Sequence, residues 1–121
     1  MKCLQLDTDM PHDPKIRAVD RALGVEGVGG LVQLWCFVAR HGAQPGRALD
    51  TAGERLPLED IRDATELDEA KFQQLLDICL RTGHFKRDEW EQRQGIWIPA
   101  MQRRADTYTR RKQQREQGTL W

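Results

Sequence analysis

Val28, Leu31, Val32, Trp35 and Val38 recur at spacings of three and four, and Leu34 and Phe37 widen the stripe they make. Side chains at that spacing share one helix face, and a face this apolar has to be covered. The pattern predicts a central core helix over about residues 26–41, with the rest of the chain packed round it. Its start, Glu26-Gly27-Val28-Gly29-Gly30, reads locally as a loop, and each glycine costs a helix about 1 kcal/mol against alanine. Close approach by a neighbouring backbone is the expected reason for keeping them. At 121 residues the chain fits one domain. A chain of that size buries roughly two-thirds of its unfolded surface, enough for one core.

Upstream, residues 4–9 alternate apolar and polar, as a short strand does. Asp13-Pro14 opens a helix, because Asp caps free N–H groups and Pro suits the first helical position. Ile16, Val19 and Leu23 continue it, and Gly24 supplies a stop, so a first helix runs over about 14–23. Residues 42–55 contain Gly42, Pro45, Gly46 and Gly53 with little periodicity, and predict a surface loop tolerant of change. Leu58 and Ile61, with Ala64 and Leu67, mark a short helix over about 57–65. Asp68 caps the next helix, whose stripe is Phe72, Leu75, Leu76, Cys79 and Leu80 and whose stop is Gly83.

The period then changes. Phe85-Lys86-Arg87 and Ile96-Trp97-Ile98 are β-prone and flank the polar stretch 88–95, which predicts a hairpin ended by Pro99. A last helix starts near residue 100, with Met101, Ala105 and Tyr108 on one face. Beyond Tyr108 the apolar stripe ends, and a solvated helix fraying into disorder is expected.

Charge is segregated along the chain. There are 19 basic and 19 acidic residues, a net of zero. Residues 1–99 hold 13 Lys/Arg and 17 Asp/Glu, a net of −4. The remainder holds Arg103, Arg104, Arg110, Arg111, Lys112 and Arg115 against Asp106 and Glu116, a net of +4. An acidic body with a basic segment at one end points to contact with nucleic acid or an acidic partner.

Several function classes are disfavoured. No apolar run approaches the ~18 residues of a membrane span, and the first residues do not resemble a signal peptide. A cytoplasmic protein with no membrane partner is expected. Cys3, Cys36 and Cys79 form no C-x-x-C pair, and the last two fall in apolar helical patterns, where free Cys acts as a small hydrophobe. Cys79, His84, His12 and His41 are the alternative metal reading, but no two show a zinc spacing. Gly27-x-Gly29-Gly30 lacks the spacing and the Lys-Ser/Thr ending of a phosphate loop. The sequence contains no Ser. Asp7, Asp9 and Asp13 with His12 suit a cation or, as expected here, a turn and cap before the first helix. Neither enzyme activity, metal nor cofactor is expected.

The expected fold is mainly α with a small β-hairpin: a winged helix-turn-helix over residues 1–99 with an extra C-terminal basic helix over 100–121. The helices over 57–65 and 68–82 form the pair, Thr65-Glu66-Leu67-Asp68 the turn, and residues 88–95 the wing. Particular residues carry a resemblance further. His12-Asp13-Pro14-Lys15-Ile16, Gly24-Val25-Glu26-Gly27-Val28-Gly29-Gly30 and Leu56-Pro57-Leu58-Glu59-Asp60-Ile61 come first. Gly83-His84-Phe85, Ile98-Pro99 and Arg103-Arg104 follow. Together they resemble the N-terminal domain of phage and prophage replication proteins related to the DnaD primosome protein. The resemblance spans about residues 7–115. It implies a winged-helix scaffold for self-association and primosome assembly, in a bacterial host, with a helicase or its loader as partner. In that family DNA contacts often come from other segments, such as a second domain and its tail.

A helix that reads DNA gathers positive charge round itself. Residues 68–82 carry Asp68, Glu69 and Asp77 against Lys71 and Arg81, and 88–95 carry Asp88, Glu89 and Glu91 against Arg93. Both segments repel phosphate, although Gln73 and Gln74 suit base edges. The basic residues from Arg103 to Arg115 are the better nucleic-acid candidates, through salt-dependent, largely sequence-independent contact. They equally suit a solvated helix end or the acidic body of a second copy. Tyr108 either packs on the body or stacks on a base. Trp90 either anchors a protein interface or folds back, and with Tyr108 is the candidate interface residue; Trp35 and Trp97 belong to the core, and Trp121 stands in polar surroundings. Three functions follow: a replication accessory domain that self-associates and holds DNA, a protein-only adaptor, or a small transcription regulator.

Overall fold

The computed structural model describes residues 12–118. The strand expected over residues 4–9, together with Cys3, Asp7, Asp9 and Trp121, lies outside them. Five helices follow in chain order: α1 (Pro14–His41), α2 (Leu58–Thr65), α3 (Glu69–Arg81), α4 (Arg87–Arg93) and α5 (Pro99–Gly118). The expectation of a mainly helical fold holds.

The Asp13 carboxylate caps α1, accepting the Lys15 backbone N–H at 2.8 Å. Gly24 breaks the helix with φ 70° and ψ −162°, a combination open essentially only to glycine. The two expected helices therefore hold as two helical segments that meet at Gly24, and the label α1 covers both. No atom lies within 4 Å of where a Cβ at Gly24 would stand, so an added methyl meets only backbone strain. Gly24→Ala is expected to cost about 2 kcal/mol, measured by urea denaturation. An unchanged midpoint would mean that the helix runs straight through residue 24.

Beyond the bend, Gly27, Gly30, Leu31, Leu34, Trp35, Val38 and Ala39 are buried. Cys36 falls on the opposite side and is exposed, which corrects the expectation of a core cysteine. The close approach expected at the glycines comes from a side chain rather than a backbone. A Cβ on Gly30 would stand 2.8 Å from Leu67 Cδ1, so Gly30 is what lets the turn between α2 and α3 seat against α1. By length and composition α1 is the one described helix able to cross a membrane, with an 18-residue window of mean hydropathy 1.5. The expectation that no segment qualifies does not hold by length and composition, and 39% of that window is buried inside the fold.

The turn itself matches the sequence reading. Glu66 adopts a left-handed conformation (φ 59°), Leu67 is buried, and Asp68 caps α3 by accepting the Lys71 N–H at 2.8 Å. Phe72, Leu75, Leu76, Ile78 and Cys79 form the inner face of α3. Lys71 Nζ reaches Glu26 at 2.8 Å and ties α3 to α1 at the surface.

The hairpin is where the fold departs most from expectation. Residues 87–93 are a helix, α4, not the loop of a wing. Acidic Asp88 and Glu89 stand in its first turn and Arg93 in its last, the arrangement a helix dipole favours. Ile96-Trp97-Ile98 finds its main partner in the segment expected to be a loose loop. Ile98 N–H donates to the Gly46 carbonyl at 2.7 Å, and Ala48 N–H to the Ile96 carbonyl at 2.9 Å. On the side towards residue 85, one bond is made, from Lys86 N–H to the Trp97 carbonyl at 2.8 Å. Among the described residues the pairing of Arg47 with Trp97 is an isolated bridge, not part of a strand.

Candidate nucleic-acid interface

Helix α5 leaves the body within its first turns. Met101 is buried, Ala105 is half-buried, and every residue from Tyr108 to Gln117 is exposed. Tyr108 is 42% exposed, so the packing expected for it on the Met101–Ala105 face ends at Ala105.

A residue advances 100° round a helix, so positions i, i+4, i+7 and i+11 share a face. Arg104, Tyr108, Arg111 and Arg115 occupy such positions and span about 16 Å along the axis. Arg103 and Arg110 run along one flank, and Lys112 stands on the other. Asp106 falls on the far side. Tyr108, Arg111, Gln114 and Arg115 together line an open depression of about 490 Å³. Thr107 and Thr109 turn their hydroxyls back onto the helix, donating to the Arg103 and Ala105 carbonyls at 2.9 and 3.0 Å.

Helices α3 and α4 present mixed charge. Glu69, Gln73, Gln74, Asp77 and Arg81 form the exposed face of α3. On α4, Asp88 and Glu91 are exposed beside Arg87 and Arg93. Trp90 is half-buried and folds back against the core rather than standing clear of it.

A cluster that sequence reading missed stands at the root of α5. The Arg47 guanidinium lies 3.9 Å from the Trp97 ring centroid and Lys86 Nζ lies 4.7 Å from it. Cations held on an aromatic ring are oriented by it. Trp97 itself is half-buried rather than a core residue, and its indole N–H is buried without a hydrogen-bond partner. No local signal joins residues 47, 86 and 97, which meet only because the 46–48 and 96–98 segments pair.

The core also holds a polar pair. Trp35 Nε1–H donates to His84 Nε2 at 2.8 Å, which leaves the His84 proton on Nδ1. Burial is the main cause lowering the His84 pKa to about 4, and the Lys15 charge adds to it. Burial likewise pushes the Cys79 thiol up to about 12, so it is a neutral core group and not a nucleophile. Among the described residues no three His, Cys, Asp or Glu side chains gather as a metal site.

Residues 4–99 match the family model described as Lin1244/Lin1753-like, N-terminal. No curated protein and no solved structure matches the chain significantly.

Proposed function

The chain belongs to the Lin1244/Lin1753-like N-terminal family, and from that premise and its own surface we propose that it is an accessory module of phage-type DNA replication. In this reading it carries out no chemistry. It assembles with copies of itself and with a replication protein such as a helicase or its loader, in the cytoplasm of a bacterial host. It holds DNA through α5 without reading sequence. The observation that carries the proposal is the concentration of positive charge: Arg103, Arg110, Arg111, Lys112 and Arg115 stand exposed on α5, whereas acids and bases are mixed on the exposed faces of α3 and α4.

The scaffold is read as a winged-helix relative of the DnaD type, with α4 in place of the wing and α5 as the added helix. The short turn between α2 and α3 supports this, as does the meeting of residues 46–48, 86 and 96–98. Self-association is supported by one face of α1. Val25 is 84% exposed, Gly29 has open space over it, Val32 is half-buried and Cys36 is exposed, all at one helical register. Sedimentation velocity is expected to show an assembly that Val25→Asp with Cys36→Asp dissociates; a native chain that is monomeric throughout would remove this part of the reading.

DNA holding is tested by anisotropy of labelled DNA across a salt series. Changing Arg110, Arg111, Lys112 and Arg115 together to Gln is expected to weaken binding at least about tenfold. It should also flatten the slope of log affinity against log salt by up to about 3.6, because each neutralised duplex phosphate contributes about 0.9. A native chain that binds no DNA at low salt would favour the second reading, a protein-only adaptor, which the exposed Glu69, Asp77, Asp88 and Glu91 support through a basic partner. The same acids leave a transcription regulator reading DNA by α3 with the least support.

A further inference from the structure

We propose that the α5 face takes single-stranded nucleic acid, with an unpaired base stacked on Tyr108 and its flanking phosphates held by Arg111 and Arg115. This rests on the reading of α5 as the DNA-holding segment and names the form of nucleic acid it selects. Cations alone would favour duplex, whose two backbones carry the denser charge. The face, however, has an aromatic ring at its middle. Tyr108 is, with Val25, one of two large hydrophobic side chains exposed among the described residues. Arg111 follows one turn later and Arg115 two turns later, on the same side of the ring.

The four side chains supply different contacts. Tyr108, Arg111, Gln114 and Arg115 line one open depression, so a flat group lying on the ring is bordered by two guanidinium groups and an amide. An amide offers a donor and an acceptor to a base edge. A stacked aromatic with interleaved cations is the arrangement by which proteins hold single strands with little sequence preference. In a duplex every base face is already covered by its neighbours, and the ring would have nothing to stack on.

The test uses the full chain and five labelled probes of equal length: oligo-dT, oligo-rU, a mixed-sequence single strand, its duplex, and an abasic deoxyribose-phosphate strand. The native chain is expected to bind the three base-bearing single strands more tightly than the duplex and the abasic strand. Tyr108→Ala should weaken the base-bearing single strands by about tenfold. It should leave the duplex and the abasic strand within about twofold, and Tyr108→Phe should keep native affinity because the ring remains. The dT and rU arms distinguish DNA from RNA as the strand taken. Equal binding of single strand and duplex, unchanged by Tyr108→Ala but lost with the arginines, would overturn this inference and leave the DNA-holding reading standing. No binding of any probe at low salt would overturn both. Tyr108 is exposed, so its replacement leaves the fold intact, and circular dichroism of each variant checks that.

Discussion

Acidifying the protein from about pH 7.5 to about pH 4.5 is expected to remove about 2.5 kcal/mol of stability through His84 alone. The folded pKa is lowered to about 4 from an ordinary value of 6.5, so the unfolded chain takes up the extra proton first. The stabilisation is therefore complete above the unfolded value and is lost as pH falls from 6.5 towards 4. The cause is local: protonation puts a hydrogen on Nε2, the atom that accepts the Trp35 indole N–H, and charges a buried ring. His84→Gln keeps an acceptor but cannot titrate. Urea midpoints of both proteins across this range decide the matter. The native chain should lose stability steeply and the variant should not. Parallel curves would mean that His84 is protonated without cost, or that other groups dominate.

Gly46→Ala is expected to destabilise by about 3 to 4 kcal/mol, clearly more than Gly24→Ala. Gly46 has φ 78°, which an alanine adopts only with strain. The added Cβ would also be driven into the Ile98 carbonyl oxygen and would stand 3.3 Å from the Gln102 backbone nitrogen. Both obstacles are backbone and neither can swing aside. The Gly46 carbonyl accepts from Ile98 N–H, so relief by separation would break the bond that seats the start of α5. Thermal unfolding measures the loss. A fall in Tm no larger than that of Gly24→Ala would show that the two segments are not held this closely.

Much of the helical core was legible because its signals are local. The stop at Gly24, the turn over residues 65–68 and the capping Asp68 each rest on residues within four positions. Cys36 was expected among the apolar helical residues, although a buried face through Leu31, Leu34, Trp35 and Val38 leaves residue 36 outside. The helix α4 was missed because the β-prone flanks at 85–87 and 96–98 decided the reading of what lay between. Yet residues 88–94 hold no glycine, proline or asparagine to make a tight turn, and Glu89 and Arg93 stand at a supporting helical spacing. The Trp35–His84 pair, 49 positions apart, and the Arg47–Trp97–Lys86 stack had no signal to find. They depend on which segments meet, which is a property of the whole fold. The basic residues of α5 were legible as a charge run, but the exposure of Tyr108 depends on where the body ends beneath the helix.

The pairing of Gly46 with Ile98 carries a kinetic consequence. It joins positions about fifty residues apart, as do the Trp35–His84 and Glu26–Lys71 contacts of the core, whereas each helix by itself forms from neighbours four apart. The separate helices are therefore expected to form first and the root of α5 to dock late, together with the other long-range contacts. Until that docking, the cations of α5 have no common axis with the body. The late step converts a run of charge into an arm with a direction, and slowing it would delay that conversion while leaving the charge unchanged.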